Sequence, residues 1–149
     1  MALKVIPDVV SGQSIKSLRP EASAQEAARQ MRDHDISSVV VVDESGKLVG
    51  IVTERDMARR VVAEDRQGGS LRLRDIMTAD PVVVAPDASA FDVLETMRKL
   101  RVRHVPVVDA GKVIGMVSMR DLRHAIAAAG GGKRGSALGR LLHLVSGGR

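Results

Sequence analysis

Arg19-Pro-Glu-Ala-Ser-Ala24 recurs as Ala85-Pro-Asp-Ala-Ser-Ala90, an offset of 66 in a chain of 149 residues. The same offset carries Met31 onto Met97, Arg32 onto Arg98, Val39 onto Val105 and Asp43 onto Asp109. One deletion near Glu44-Ser45 lowers the offset to 65, and Gly50-Ile-Val-Thr-Glu-Arg-Asp56 then falls on Gly115-Met-Val-Ser-Met-Arg-Asp121. Two copies of this length are a duplicated supersecondary unit, since a solenoid needs three or more. Related halves that face each other enclose a pseudo-symmetric cleft, a usual seat for a small ligand.

Each copy reads strand, helix, strand, strand, helix, a mixed α+β class. Ser23-Ala-Gln-Glu26 is a capping box, and Ser89-Ala-Phe-Asp92 is its counterpart. Behind the caps, Ala24, Ala27, Ala28 and Met31, then Ala90, Val93, Leu94 and Met97, mark one buried helix face in each copy. Val39-Val-Val-Val42 and Val105-Pro-Val-Val108 are β-branched runs suited to strands covered on both sides. Polar, glycine-containing turns at Asp43–Lys47 and Asp109–Lys112 join them to strands at Leu48–Thr53 and Val113–Ser118. The last helices are expected to start near Arg55 and Arg120. Ile15–Leu18 and Pro81–Val84 are the expected first strands. These signals divide the chain into repeat one at 7–66, a linker at 67–70, repeat two at 71–129 and a flexible basic tail at 130–149. Within the tail, Ala137–Val145 has the spacing of a short amphipathic helix.

Composition narrows the function classes. There is no Cys, Trp or Tyr and one Phe, Phe91, so the core must be aliphatic and methionine-filled, and thiol chemistry is excluded. No apolar run approaches the roughly 18 residues of a membrane span, and no signal-peptide pattern opens the sequence; a cytoplasmic protein is expected. The net charge is +5, but Lys133, Arg134, Arg140 and Arg149 supply four of those charges, leaving the body almost neutral. A basic end of this kind is usually a solvated tail. Without aromatic platforms for bases the body does not suit single-stranded nucleic acid, and only the tail offers phosphate contacts. His34, His104, His124 and His143 have no metal-type spacing, so no metal site is expected. No nucleophile elbow, phosphate loop or acid–base pair stands out, so the chain is not expected to be an enzyme.

The chemistry that does stand out is Thr53-Glu-Arg-Asp56 and Ser118-Met-Arg-Asp121, each at a strand-to-helix junction. A helix start attracts an anion through free amides and the helix dipole. Thr53 or Ser118 can donate to a phosphate oxygen, and Arg55 or Arg120 can meet phosphate with a charged fork. Asp56 or Asp121 can accept from a ribose diol. The same spacing is also a helix-capping pattern, in which hydroxyl and carboxylate satisfy backbone amides and nothing more. Spacing alone leaves both readings open.

Taken with Arg103-His-Val-Pro-Val107, the turn at Gly111 and Gly115-x-x-Ser-x-x-Asp121, the repeat resembles the cystathionine-β-synthase (CBS) domain, and the tandem resembles a Bateman module. The resemblance covers about Pro7 to Ala128. It implies two repeats packed through their sheets about a pseudo-twofold axis, an adenine nucleotide (AMP, ADP or ATP) as regulatory ligand between them, and a homodimer. It further implies ribose contacts from Asp56 and Asp121 and phosphate contacts from Thr53, Ser118, Arg55, Arg120, Arg103 and His104. The segment holding Thr78, Ala79, Pro81 and Val82 would cover the base. Copy one departs from the pattern, with Ser37-Ser38 where copy two has Arg103-His104 and an atypical Gly12-Gln-Ser-Ile15, so the resemblance centres the site on Asp121. No cofactor is required by it, and any regulation would act in trans on an unidentified protein. The alternative is a ligand-free dimerisation or scaffold module whose aspartates only cap helices.

Overall fold

The computed structural model describes residues 2–130; the expected tail helix at Ala137–Val145, His143 and the tail's basic residues lie outside them. A wide turn at Val5–Val9, closed by the Val10 amide on the Val5 carbonyl, leads to β1 (Ser17–Leu18). Then come α1 (Ala24–His34), β2 (Ser38–Val42), β3 (Leu48–Thr53) and α2 (Glu54–Asp56), which widens into a π-type turn over Met57–Val62. The second half has α3 (Leu73–Ile76), β4 (Thr78–Ala79), α4 (Ala90–Leu100), β5 (His104–Asp109), β6 (Lys112–Ser118) and α5 (Met119–Gly130).

Each half is built on one antiparallel hairpin. In β2 and β3, Val39, Val41 and Val52 point to the helix side and join Ala24, Ala27, Met31 and Val61 in one core. In β5 and β6, Val105, Val107 and Val117 do the same with Ala90, Val93, Leu94, Met97, Leu122 and Ile126. Side chains alternate between faces along a strand, so the cross-strand pairs Val40–Ile51 and Pro106–Met116 look the other way. Val40 and Ile51 are 1% and 6% exposed yet belong to neither helix-side core, and Pro106 is buried too. These equivalent pairs form the contact between the sheets, about which the halves are related by pseudo-twofold symmetry. Burying each such side chain contributes about 1.5–3 kcal/mol.

The halves also interlock. The Val5 amide donates to the Ala88 carbonyl and the Ala90 amide to the Leu3 carbonyl, each at 2.9 Å; Leu73 to Ala22 and Ala24 to Leu71 repeat the arrangement, again at 2.9 Å. Val5 and Val10 therefore sit in the core of the second hairpin, and Leu71, Leu73 and Ile76 in that of the first. Each repeat's leading segment packs on the other repeat. A further tie is β4, which pairs antiparallel with β3 through Gly50–Ala79 and Ile51–Thr78. Gly50 is required there, because a Cβ would lie 2.9 Å from Met77 Cγ and 3.1 Å from the Thr78 carbonyl oxygen.

Several expectations are corrected in detail. Ala28 is exposed where its counterpart Leu94 is buried, because a methyl group does not reach the core that the longer side chain fills. Ser23 and Glu26 form the expected reciprocal cap. Ser89 does not cap through its side chain; the Leu3 carbonyl takes the Ala90 amide instead. The first strand expected at Pro81–Val84 reduces to a single parallel bridge from Val84 to Val107, and the strand proper is Thr78–Ala79, paired with the other repeat.

Candidate functional site

Two cavities lie between the repeats, and the equivalent strand-to-helix junctions each open into one. The first, of about 440 Å³, holds Thr53, Glu54, Arg55 and Asp56 together with Arg59 and Arg60, and across from them Thr78, Asp80, Pro81, Val82, Leu100, Arg101, Val102, Arg103 and His104. The second, of about 410 Å³, holds Ser118, Arg120 and Asp121, with Gln13, Ser14, Ile15, Lys16, Asp35, Ile36 and Ser38 opposite. Ser37 and His104 line both.

The expected site residues are thus gathered, but in a different partition. Thr78, Pro81, Val82 and Arg103 join the Asp56 cleft and not the Asp121 cleft on which the sequence centred the site. Ala79 lines neither, because successive strand residues face opposite sides and Thr78 takes the cleft side. The cause is topological: β4 leaves the sheet edge beside β3, so the chain beyond Ala79 passes over the end of the first hairpin. Arg59, Arg60, Arg101 and Asp80 were not singled out from the sequence. Arg101 stands where repeat one has Asp35, so comparing charges at equivalent repeat positions would have found it.

At both junctions the capping pattern is real, and it leaves chemistry to spare. The Thr53 amide donates to Asp56 Oδ2 at 2.8 Å, the Thr53 hydroxyl donates to the same oxygen at 3.2 Å, and the Asp56 amide donates back to Thr53 Oγ1 at 3.3 Å. Asp56 Oδ1 is left facing Arg60 Nε at 3.7 Å. In the second repeat, the Ser118 amide donates to Asp121 Oδ2 at 2.8 Å and the Asp121 amide to Ser118 Oγ at 3.0 Å. Asp121 Oδ1 has no hydrogen-bond or ion-pair partner among the described residues. One oxygen of each carboxylate caps its helix; the other faces Arg60 in Asp56 and is unpaired among the described residues in Asp121.

The Asp56 cleft is the more basic one. Five arginines line it against Glu54, Asp56 and Asp80. Arg60 is partly committed, since its Nη1 donates to the Ile76 and Met77 carbonyls at 2.8 and 3.2 Å and so fixes the end of α3. Burial, then the neighbouring Arg103 and Arg59 cations, push the Arg55 guanidinium below its ordinary value, with Asp56 pulling the other way. Guanidiniums that crowd one another in this way favour a bound anion.

His104 and Ser37 form the wall between the clefts, with Oγ and Nε2 hydrogen-bonded at 2.6 Å. Burial lowers the His104 pKa from 6.5; Asp121 and Glu54 act to raise it, and Arg103 and Arg55 to lower it further. The imidazole is accordingly neutral at pH 7, and it contributes a hydrogen bond and not a charge to either cleft.

This architecture, two interlocked repeats with paired clefts, has close relatives. A family model described as the CBS domain matches residues 6–63 and again 73–128. The chain belongs to the CBS domain family and carries two such domains in tandem, the build of a regulatory CBS pair. An uncharacterized protein of Methanopyrus kandleri, MK0525, is 36% identical over 116 residues, 77% of this chain and 56% of its own length. The chain therefore spans little more than half of that relative. Among solved structures, a putative signal-transduction protein with CBS domains from Burkholderia ambifaria superposes with a TM-score of 0.79 at 32% identity, covering 90% of this chain and all of that one. The CBS domain pair of protein MJ0100, in complex with 5′-methylthioadenosine and S-adenosyl-L-methionine, gives a TM-score of 0.77 at 28% identity over 87% of this chain and 99% of the other. No helix among the described residues is long and apolar enough to cross a membrane.

Proposed function

We propose that this CBS pair binds an adenine nucleotide, of the AMP, ADP or ATP kind, in the cleft built on Asp56, and that occupancy regulates another protein in trans. Asp56 Oδ1 takes the ribose hydroxyls, the Thr53 hydroxyl and the guanidiniums of Arg55, Arg59, Arg101 and Arg103 face the phosphates, and Pro81 and Val82 offer apolar cover for the base. The observation that carries this reading is the convergence of arginines from both repeats on a helix start, beside a half-buried carboxylate whose second oxygen meets only the half-exposed Arg60. Adenosine-type ligands in the MJ0100 pair support the ligand class. The chain acts as a sensor without chemistry of its own, and pairs into a homodimer as the family does.

A second reading has its own support, because both aspartates do cap their helices. On that reading the pair is a ligand-free scaffold. A thermal-shift screen of AMP, ADP, ATP, adenosine and S-adenosylmethionine separates the two. A ligand that binds only the folded state raises its stability, so a rise with a nucleotide supports the sensor. No rise with any compound leaves the scaffold. Sizing with and without AMP tests the dimer.

A further inference from the structure

We infer that the two clefts sort ligands by charge, the Asp56 cleft taking the phosphorylated nucleotide and the Asp121 cleft a nucleoside without phosphates, with Arg101 and Asp35 as the selecting pair. This rests on the nucleotide reading above and adds a second ligand class to it. Arg101 and Asp35 occupy the same place in their repeats, 66 residues apart. Each follows a helix as its C-cap in the left-handed conformation, with φ of 55° and 51°. Each lines its own cleft, and neither side chain has a hydrogen-bond or ion-pair partner among the described residues. At one backbone position, then, the first cleft carries a cation and the second an anion.

Apart from that position the two linings differ residue by residue but carry the same net charge. Glu54 and Asp80 of the first cleft have Met119 and Ser14 as counterparts, and Lys16 of the second has Val82, so the contrast rests on Arg101 and Asp35. Arg103 of the first cleft has Ser37 as its repeat counterpart, and Arg59 and Arg60 have His124 and Ala125, neither of which lines the second cleft. The Asp56 cleft has five guanidiniums against three carboxylates, whereas the Asp121 cleft balances Lys16 and Arg120 against Asp35 and Asp121. A polyphosphate placed in the second cleft meets Asp35 where the first offers Arg101, and a like charge at such a position rejects a ligand as firmly as an opposite charge attracts one. A nucleoside has no charge to repel, and Asp121 Oδ1 remains to accept from its ribose. Gln13 adds a polar wall, its Nε2 donating to the Met116 carbonyl at 3.0 Å and its Oε1 accepting from the Met116 amide at 2.9 Å.

Calorimetric titration of the full chain with ATP and with adenosine tests the assignment, using wild type, Asp35→Arg, Arg101→Asp and Asp56→Ala. The backbone at position 35 tolerates arginine, since Arg101 already adopts the same conformation, and a melting curve checks that the variant is folded. Wild type is expected to bind a single equivalent of ATP per chain and, with ATP saturating, a further equivalent of adenosine. Asp35→Arg is expected to gain a second ATP equivalent. Arg101→Asp is expected to weaken ATP at least about tenfold, the scale of one lost charge-assisted contact, with adenosine in the other cleft unaffected. Two ATP equivalents in wild type, no adenosine on top of ATP, or an Asp35→Arg variant that still binds one ATP overturns the sorting. If ATP binding is nevertheless lost in Asp56→Ala, the nucleotide reading survives that failure. Absence of all binding overturns both.

Discussion

Replacing Asp56 by alanine removes both its cap and its charge, and replacing it by asparagine removes only the charge. In the native chain, Oδ2 accepts from the amide and hydroxyl of Thr53 at 2.8 and 3.2 Å, while Oδ1 stands 3.7 Å from Arg60. Alanine leaves the half-buried Thr53 amide without its acceptor, a loss of about 1–3 kcal/mol. The Arg60 contact adds little, because that side chain is 47% exposed and water screens it. Asparagine can still accept from the Thr53 amide through its Oδ1 and so keep the reciprocal cap, and its stability should stay near that of wild type. Both variants lose the charge that strengthens a ribose hydrogen bond, about 1.5–3 kcal/mol, roughly tenfold to over a hundredfold in affinity. Urea unfolding and AMP calorimetry on the three proteins separate the roles. The expected pattern is alanine unstable and weak-binding, asparagine stable and weak-binding. An asparagine variant that binds AMP as wild type does would show that Asp56 is a cap and no more.

Gly50→Ala should cost about 1–3 kcal/mol in urea unfolding, as overpacking against Met77 and the Thr78 carbonyl forces β4 off β3; an unchanged midpoint would contradict the close approach. Because burial lowers the folded-state pKa of His104 below 6.5, the unfolded chain takes up that proton first. Stability from the neutral imidazole is therefore complete above about pH 6.5 and is lost as the pH falls below it. Melting curves between about pH 7.5 and pH 5 should show wild type losing more stability than His104→Gln; equal losses would refute the burial. Leu73→Ala should destabilise the chain by about 2–5 kcal/mol, since Leu73 is wholly buried in the first core. For the same reason a fragment of residues 11–79 should melt more cooperatively by circular dichroism than residues 1–66, which lack the Leu71–Ile76 segment; the reverse order would deny the exchange.

The repeat made the hairpins and the helices legible, because each depends on local periodicity that two copies state twice; the packing through the sheets was implied by the family resemblance. Val40 and Pro106, equivalent and inward-facing, show how far that carries. What local pattern cannot express is which core a segment joins. Leu73 reads as the start of repeat two and packs in repeat one, through a backbone hydrogen bond to Ala22 that no side-chain pattern encodes. The capping and ligand readings of Asp56 and Asp121 were both visible, but the sequence could not say that a carboxylate divides its two oxygens between them. The clefts were half legible. Thr53, Arg55 and Asp56 lie together in sequence, whereas Arg101 and Arg103 reach them from a helix end and strand start some fifty residues on.

The most direct test is a crystal structure of the chain grown with saturating AMP. The ribose hydroxyls should lie within hydrogen-bond reach of the Asp56 carboxylate, with the phosphate among Arg55, Arg101 and Arg103 and the base beside Pro81 and Val82. An Asp56 cleft that stays empty, or a nucleotide bound away from those arginines, would contradict the account.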